Sequence, residues 1–486
     1  MTKVMGMGTV YLILAGMATL GANFFLHVFL AHKLSPELYG IFGVLISVYM
    51  ILGTFLSTGM TSAVSKFIAE KKFSYLSITN SSLKLQLSLS LIFTLIYLLF
   101  VDQISWLLGD LGLKSYLIFM GLIIIPFTLL SLHWTGYLNG LRMFKKQALI
   151  SVIHVALKAF FTSVFVLLGF KLYGFLAGLI LSILIPLILV ILILNENKKN
   201  VLSLPVRQSE QKDCLRELFY FSLPLIASSL ILSLLRNVNL LLVKSFLQDN
   251  LQVAIYTAAN TFANVPILIF ASLFFTLIPS ISKAVSEQNF SLAQKYVSGS
   301  FRYLLLILIP IVALVVPTSI QLVTLFYPLE YSSAGTVLNI LIVSSVFLII
   351  MTSFMGVIIG LGKPKVELFI GIAALFFLFS LNLIFTRNFG LIGAAYSLLI
   401  TMFLTALISG IYVHHKLSFT LPFNSLLNII FASAFIFLLG LIWKSSGFWL
   451  IVQYSVLIIV YLFILFLFRE FNPEDFDFIK RILKFN

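Results

Sequence analysis

The stretch that decides the architecture is Gln147–Phe170, QALISVIHVALKAFFTSVFVLLGF. It is an apolar run of the length a helix needs to cross a bilayer, about 20 residues. Lys158 stands near its middle, and His154 precedes it by one helical turn, so the two share a face. An ammonium held in hydrocarbon costs from ~3 kcal/mol upward, so such a residue turns toward a bundle interior or a watery cavity and toward an opposite charge. No Asp or Glu falls in the interior of any predicted span, Glu367 standing at the edge of one. The missing counter-charge is therefore expected to arrive with an anionic substrate. The competing reading is a lysine that snorkels to an interface. Roughly half a span of helix on either side makes that a long reach.

The rest of the chain is built from similar runs. Of 486 residues, 61% are hydrophobic and 10% charged, and mean hydropathy is +1.13. No soluble core buries so much apolar surface, so the class is an all-α polytopic membrane protein. Spans are expected at 7–31, 38–65, 82–101, 115–140, 147–170, 172–194, 218–245, 252–280, 300–318, 334–360, 365–386, 390–414, 422–443 and 448–468. The first lacks a small-residue cleavage pattern and is expected to stay in the protein. The hinges Leu172-Tyr173-Gly174 and Asn388-Phe389-Gly390 separate the fifth span from the sixth and the eleventh from the twelfth. Cys214 is the single cysteine, so no intramolecular disulfide forms.

Thirty-one Lys and Arg against 16 Asp and Glu give a net charge of +15. In a membrane protein this excess first reports orientation. Alternate loops and the two tails carry most of it, among them Lys66, Lys71 and Lys72; Arg142, Lys145 and Lys146; Lys198, Lys199, Arg207, Lys212 and Arg216; Lys283, Lys295 and Arg302; Lys363 and Lys365; Arg469, Lys480, Arg481 and Lys484. The opposite side holds only Lys33, Lys114, Lys171, Lys244, Arg387 and Lys444. The location expected is the cell (plasma) membrane, with both termini cytoplasmic.

The chain repeats itself. Tyr39, Ser65-Lys66 and Glu70 recur with identical spacing as Tyr256, Ser282-Lys283 and Glu287. Gly140-Leu141 before Lys145 echoes Gly360-Leu361 before Lys363. Six spans per half is an even number, so both halves enter the membrane the same way up. Their symmetry axis then lies along the membrane normal. The organisation expected is an N-lobe at 1–194, a cytoplasmic linker at 195–217, a C-lobe at 218–416, two further helices at 417–470 and a tail at 471–486. In that tail Phe476, Ile479, Ile482 and Leu483 share a face, as in a short surface helix.

No catalytic constellation appears: no GxxxxGK[ST], HExxH, CxxC or GxSxG. The acids lie in loops, tails and span edges. Enzyme chemistry on paired carboxylates and ATP hydrolysis are not expected, and no cofactor or metal is implied. The polar residues left within the membrane are the candidate site. Lys158, Arg236 and His154 are expected to meet a phosphate; for Arg236 the alternative is a headgroup anchor. Asn260 with Asn264, Asn23 with His27, and His133 are expected to line the cavity wall. Each would serve equally as a hydrogen bond between helices. Lys84 and Arg302, at nearly corresponding places in the two halves, are candidates for a cytoplasmic entrance; orientation alone also explains them.

Three stretches resemble a known family. They are Leu34-Ser35-Pro36-Glu37-Leu38-Tyr39-Gly40, Gly360-Leu361-Gly362-Lys363-Pro364-Lys365 and Gly390-Leu391-Ile392-Gly393-Ala394-Ala395. With the fourteen-span plan they resemble polysaccharide exporters of the multidrug/oligosaccharidyl-lipid/polysaccharide superfamily. The resemblance implies two six-helix lobes around a central cavity and transport by alternating access. It also implies a lipid-linked oligosaccharide substrate, flipped from the cytoplasmic to the outer leaflet, with glycan polymerase or transferase machinery as partners. A cation-coupled multidrug antiporter is the alternative within the superfamily; its usual membrane carboxylates are missing here. A membrane glycosyltransferase or ligase is a third reading, without the acidic residues or extramembrane domain such chemistry typically uses.

Overall fold

Helix starts in this chain are written locally. Ser35 Oγ accepts from Leu38 N at 3.5 Å, Pro36 opens the helix, and Glu37 lies in its first turn. A capping hydroxyl, a proline with no N–H to lose and an acid at the positive end of the helix dipole all favour a start here. Ser74 caps the next helix by accepting from Ser77 N at 3.2 Å. Asn289 caps a later one by accepting from Leu292 N at 3.0 Å.

The computed structural model describes residues 2–198, 208–267, 270, 281–420 and 423–470, and among these it holds helices and no strand. In chain order the main helices are α1 (Thr2–Lys33), α2 (Pro36–Glu70), α3 (Tyr75–Leu99), α4 (Val101–Leu107), α5 (Lys114–Ser131), α6 (Phe144–Phe165), α7 (Lys171–Lys198) and α8 (Gln208–Leu247). There follow α9 (Asn250–Ala263), α10 (Phe290–Val315), α11 (Ser319–Phe326), α12 (Ala334–Gly360), α13 (Pro364–Leu417), α14 (Phe423–Ile442) and α15 (Trp449–Leu467).

Among the described residues, 11 continuous helical stretches are long and apolar enough to cross a membrane. Two are of double length, Phe144–Glu196 with 53 residues and Pro364–Leu417 with 54. These hold the expected fifth and sixth spans and the expected eleventh and twelfth. The first is broken at Gly169 (φ 91°) and Lys171 (φ 48°, ψ −128°), the second at Gly390 (φ 60°, ψ −140°). The eighth expected span, 252–280, is described only to residue 267 and at 270. The tail 471–486, with its expected surface helix, lies outside the described residues. The protein is an all-α polytopic membrane protein of about fourteen helices.

The internal resemblance extends to conformation. Tyr39 and Tyr256 are both fully buried. Lys66–Glu70 and Lys283–Glu287 pair one turn apart at 3.8 and 3.9 Å. Past each pair the chain turns through a left-handed residue, Lys71 at φ 53° and Gln288 at φ 56°.

Packing divides the chain into two compact units. One is Met1–Thr257 with Gly371–Gly390; the other is Ala258–Ile370 with Leu391–Asn486. In the first, α2 is central and packs along α8. Glycine allows the approach: a Cβ at Gly59 would stand 2.4 Å from Ile226 and 2.9 Å from the Ser222 carbonyl. At Gly40 it would stand 2.0 Å from the Asn250 carbonyl. In lipid, helices gain little from apolar burial itself, so close backbone contact at small residues supplies the cohesion. In the second unit, Ala313 and Leu314 of α10 pack with Ile429, Ala432 and Ile436 of α14 and Leu457 and Tyr461 of α15.

Helix α8 begins at Gln208, ten residues ahead of the expected seventh span, inside the stretch assigned to the linker. Its charged first turns are docked on the α2–α3 turn. Glu210 accepts from Ser74 N at 2.7 Å, Lys72 pairs with Glu217 at 2.5 Å, and the Lys66 ammonium lies 4.3 Å over the Phe221 ring. Residues 199–207 of that linker lie outside the described residues.

Candidate anion-binding site

Helix α6 carries its polar residues as one stripe. Gln147, Ser151, His154, Lys158 and Thr162 follow at intervals of four, three, four and four, which keeps them on one face. That face turns inward: Gln147 is 7% exposed, Lys158 5% and Thr162 0%. Small residues let α7 lie close against it, and a Cβ on Gly178 would fall 2.6 Å from the Thr162 hydroxyl. Helix α1 packs on α6 as well.

The Lys158 ammonium donates a hydrogen bond to Asn23 Oδ1 of α1. Among the described residues no carboxylate pairs with it. His27, one turn beyond Asn23, lies within electrostatic reach of Lys158. Its Nδ1 is 3.1 Å from the Tyr39 hydroxyl and its ring meets Phe42 edge-on, with centroids 5.0 Å apart. His154, one turn back along α6, lies within reach as well. Its Nδ1 is 2.7 Å from the Ser182 carbonyl of α7, so that nitrogen carries the proton it donates. The structure thus joins Lys158, Asn23, His27 and His154, four expected residues from two expected groups. It makes one positive site in the interior of the first unit, floored by a neutral amide.

The remaining expected residues are elsewhere. Arg236 is exposed on α8 and forms no ion pair among the described residues. Three residues on, Asn239 is buried in a chain of amides: Asn382 donates to it at 2.7 Å, and it donates to the Tyr256 hydroxyl at 2.5 Å. His133 stands in a π-helical stretch, Leu132–Tyr137, with Nδ1 2.7 Å from the Leu129 carbonyl of its own helix. The ring is half-buried, with that nitrogen held by the backbone. Asn260 and Asn264 are half-buried in the second unit, at the end of α9, where Asn264 N bonds the Asn260 carbonyl at 3.0 Å. Lys84 is exposed on α3.

Arg302 departs from the entrance expected of it. Its Nε donates to Glu470 Oε1 at 3.1 Å and its Nη2 to the Glu470 carbonyl at 2.5 Å. Asn428 and Ser425 complete the shell around that carboxylate. With 13% and 6% of the two side chains exposed, this is a buried clasp holding the end of α15 against α10 and α14. The physical reason is proximity that only folding creates: 168 residues separate the partners in the chain.

A further buried cation escaped the sequence reading. Lys244, expected in an outer loop, is 1% exposed. It donates to Asp110 Oδ2 at 3.0 Å and to Asn250 Oδ1 at 2.6 Å. Burial pushes the Asp110 carboxyl up, but the Lys244 ammonium, Asn250 and the Gly112 N–H outweigh it and hold the carboxyl below its ordinary 3.8. Thr162 was also missed, although its four-residue spacing from Lys158 was visible in the sequence.

Residues 5–285 match the model of a family described as polysaccharide biosynthesis protein. The chain belongs to that family. A second family model, MatE, matches residues 224–386. It is 23% identical to an uncharacterized membrane protein of Methanocaldococcus jannaschii over 407 residues, which cover 81% of this chain and 94% of that one. Its fold is similar to the lipid II flippase MurJ in an inward closed conformation, with a TM-score of 0.75, 17% identity, and 96% and 99% of the two chains covered. It is also similar to an inward-facing multidrug resistance MATE family transporter, with a TM-score of 0.66, 16% identity, and 84% and 98% covered. A third similar structure is a transporter of the same superfamily from Pyrococcus furiosus, described as having a binding pocket of reverse polarity. Its TM-score is 0.64, its identity 18%, and 85% and 95% of the chains are covered. The fold is therefore that of flippases and transporters of this superfamily.

Proposed function

We propose that this protein flips a lipid-linked oligosaccharide, carried on a polyprenyl phosphate or pyrophosphate, from the cytoplasmic to the outer leaflet of the cell membrane. One observation carries the reading: Lys158 is buried in mid-span and is met by an amide, with no acid beside it among the described residues. A buried ammonium with so weak a partner is suited to an anion that comes and goes. The family description and the MurJ-like fold support the same substrate class.

In this reading Lys158, with His154 and His27 beside it, receives the phosphate. Arg236 supplies a second positive charge from α8, and Asn260 and Asn264 contact sugar hydroxyls. Two lobes at 1–194 and 218–416 alternate access, both termini are cytoplasmic, and the lipid tail stays in the bilayer. The protein makes and breaks no covalent bond; glycan transferases supply the cargo and polymerases take it up. An inside-negative potential drives an anion outward by ~2.3 kcal/mol per charge per 100 mV, which gives direction without a dedicated proton site.

The MatE match over residues 224–386 supports a second reading, a cation-coupled drug antiporter. The buried positive charge opposes organic cations and ranks it second. The test is flipping of a polyprenyl-pyrophosphate-linked glycan in reconstituted vesicles. Lys158→Ala and Arg236→Ala, each inserted and folded, are expected to slow it sharply. Unchanged flipping in both would overturn the proposal, and efflux of organic cations by the same vesicles would favour the second reading.

A further inference from the structure

Among the described residues two buried lysines and one largely buried arginine have a side-chain acceptor, and two of the three meet a carboxylate. Lys244 has Asp110 and Arg302 has Glu470. The third, Lys158, meets Asn23. Asparagine and aspartate have nearly the same shape, so the position that holds this amide would hold a salt bridge after one substitution. We propose that Asn23 sets the charge selectivity of the site. By satisfying the buried ammonium with a neutral oxygen, it keeps one full positive charge uncancelled for the phosphate of a lipid substrate. The inference rests on the reading of Lys158 as the phosphate's partner.

The chemistry follows from what each acceptor leaves behind. An amide oxygen offers a charge–dipole bond, which lowers the cost of burying the ammonium but does not neutralise it. A carboxylate would form an internal ion pair, and an arriving phosphate would have to displace it while leaving a buried carboxylate without its partner. Discrimination against anions would thus come from a built-in competitor, and Asn23 is the residue that omits it.

Geometry holds the amide in place. His27 lies one turn along α1 and is tied to the Tyr39 hydroxyl at 3.1 Å, which fixes the rotation of α1 at this level. His154 does not replace Asn23 through Nδ1, because that nitrogen is committed to the Ser182 carbonyl.

The experiment uses the full-length protein in detergent and measures binding of farnesyl pyrophosphate, with inorganic pyrophosphate and farnesol as competitors. Asn23→Asp is expected to weaken farnesyl pyrophosphate at least tenfold while its ligand-free melting temperature stays level or rises. Asn23→Ala removes the acceptor without adding a charge and is expected to weaken binding, but less than Asn23→Asp does. Farnesol is expected not to compete. Competition by inorganic pyrophosphate would show that the head alone suffices, and its failure to compete would assign the site to the lipid form; both agree with the proposal. Asn23→Asp binding within threefold of the unmodified protein overturns it. A loss in Asn23→Ala equal to or larger than that in Asn23→Asp does so too, because Asn23 would then be a ligand or a structural prop. Lys158→Met separates the two ideas. If it binds normally, the phosphate site itself is wrong; if it loses binding while Asn23→Asp keeps it, only the role of Asn23 fails.

Discussion

Lys158 and Lys244 are both lysines buried in the first unit, 5% and 1% exposed. They are provided for differently. Lys244 has Asp110 and Asn250 around it, at the end of a helix beside a loop. Lys158 has one amide, halfway along a span. A buried lysine with its own carboxylate is a finished part of the structure, because its charge is spent inside the protein. One with a neutral acceptor is still charged toward whatever comes next. The Arg302–Glu470 clasp in the second unit belongs with Lys244. The two lysines are nearly alike in burial, so what distinguishes them is the partner.

The contrast breaks first at Lys158. Replacement by Ala is expected to cut flipping by about 30-fold or more, since losing one member of a buried charge contact costs about 2–5 kcal/mol. Melting temperature should hold or rise, because an isolated buried charge is removed. Glu470→Ala should do the reverse. Leaving the Arg302 guanidinium without its carboxylate is expected to cost about 3 kcal/mol of stability in a denaturation assay. Flipping by the folded fraction should keep its apparent affinity for substrate. Asp110→Ala falls between, at about 2 kcal/mol, because the partly exposed carboxylate is screened by solvent.

Acid offers a finer probe. The Asp110 carboxyl is held below its ordinary value of 3.8, so its contribution is complete above that pH and is lost as pH falls through the depressed folded value. A melting-temperature profile below pH 4 should fall more steeply for the unmodified protein than for Asp110→Asn. Parallel profiles would remove Lys244–Asp110 from the comparison as a stabilising pair. The smallest effect is expected at Lys171, which holds φ 48° and ψ −128° where α6 passes into α7. The corresponding break in α13 uses Gly390 in a similar conformation. Lys171→Gly should therefore raise stability by about 1 kcal/mol, measured by the same denaturation. It should leave both lysine sites untouched.

Much of the fold was legible because the membrane restricts the choices. Apolar runs of span length become helices, since backbone groups in lipid must bond within the segment. Ser35-Pro36-Glu37 and the glycine hinges then mark where runs start and break. The repeat was legible too, down to Lys66–Glu70 and Lys283–Glu287. The site was half legible. Lys158 stood out by cost alone, and His154, Asn23 and His27 by four-residue spacing. That Asn23 and His27 of α1 would meet Lys158 of α6 was not written in either stretch.

What the sequence determined by itself is the all-helical membrane class, the span pattern and the presence of a misplaced cation, because each follows from local composition and the cost of charge in lipid. What tertiary structure decided is which cations are already answered. Asp110 reaches Lys244 across 134 residues and Glu470 reaches Arg302 across 168. No spacing rule spans such intervals. An ion pair depends on separations of a few ångströms, and only packed helices fix those.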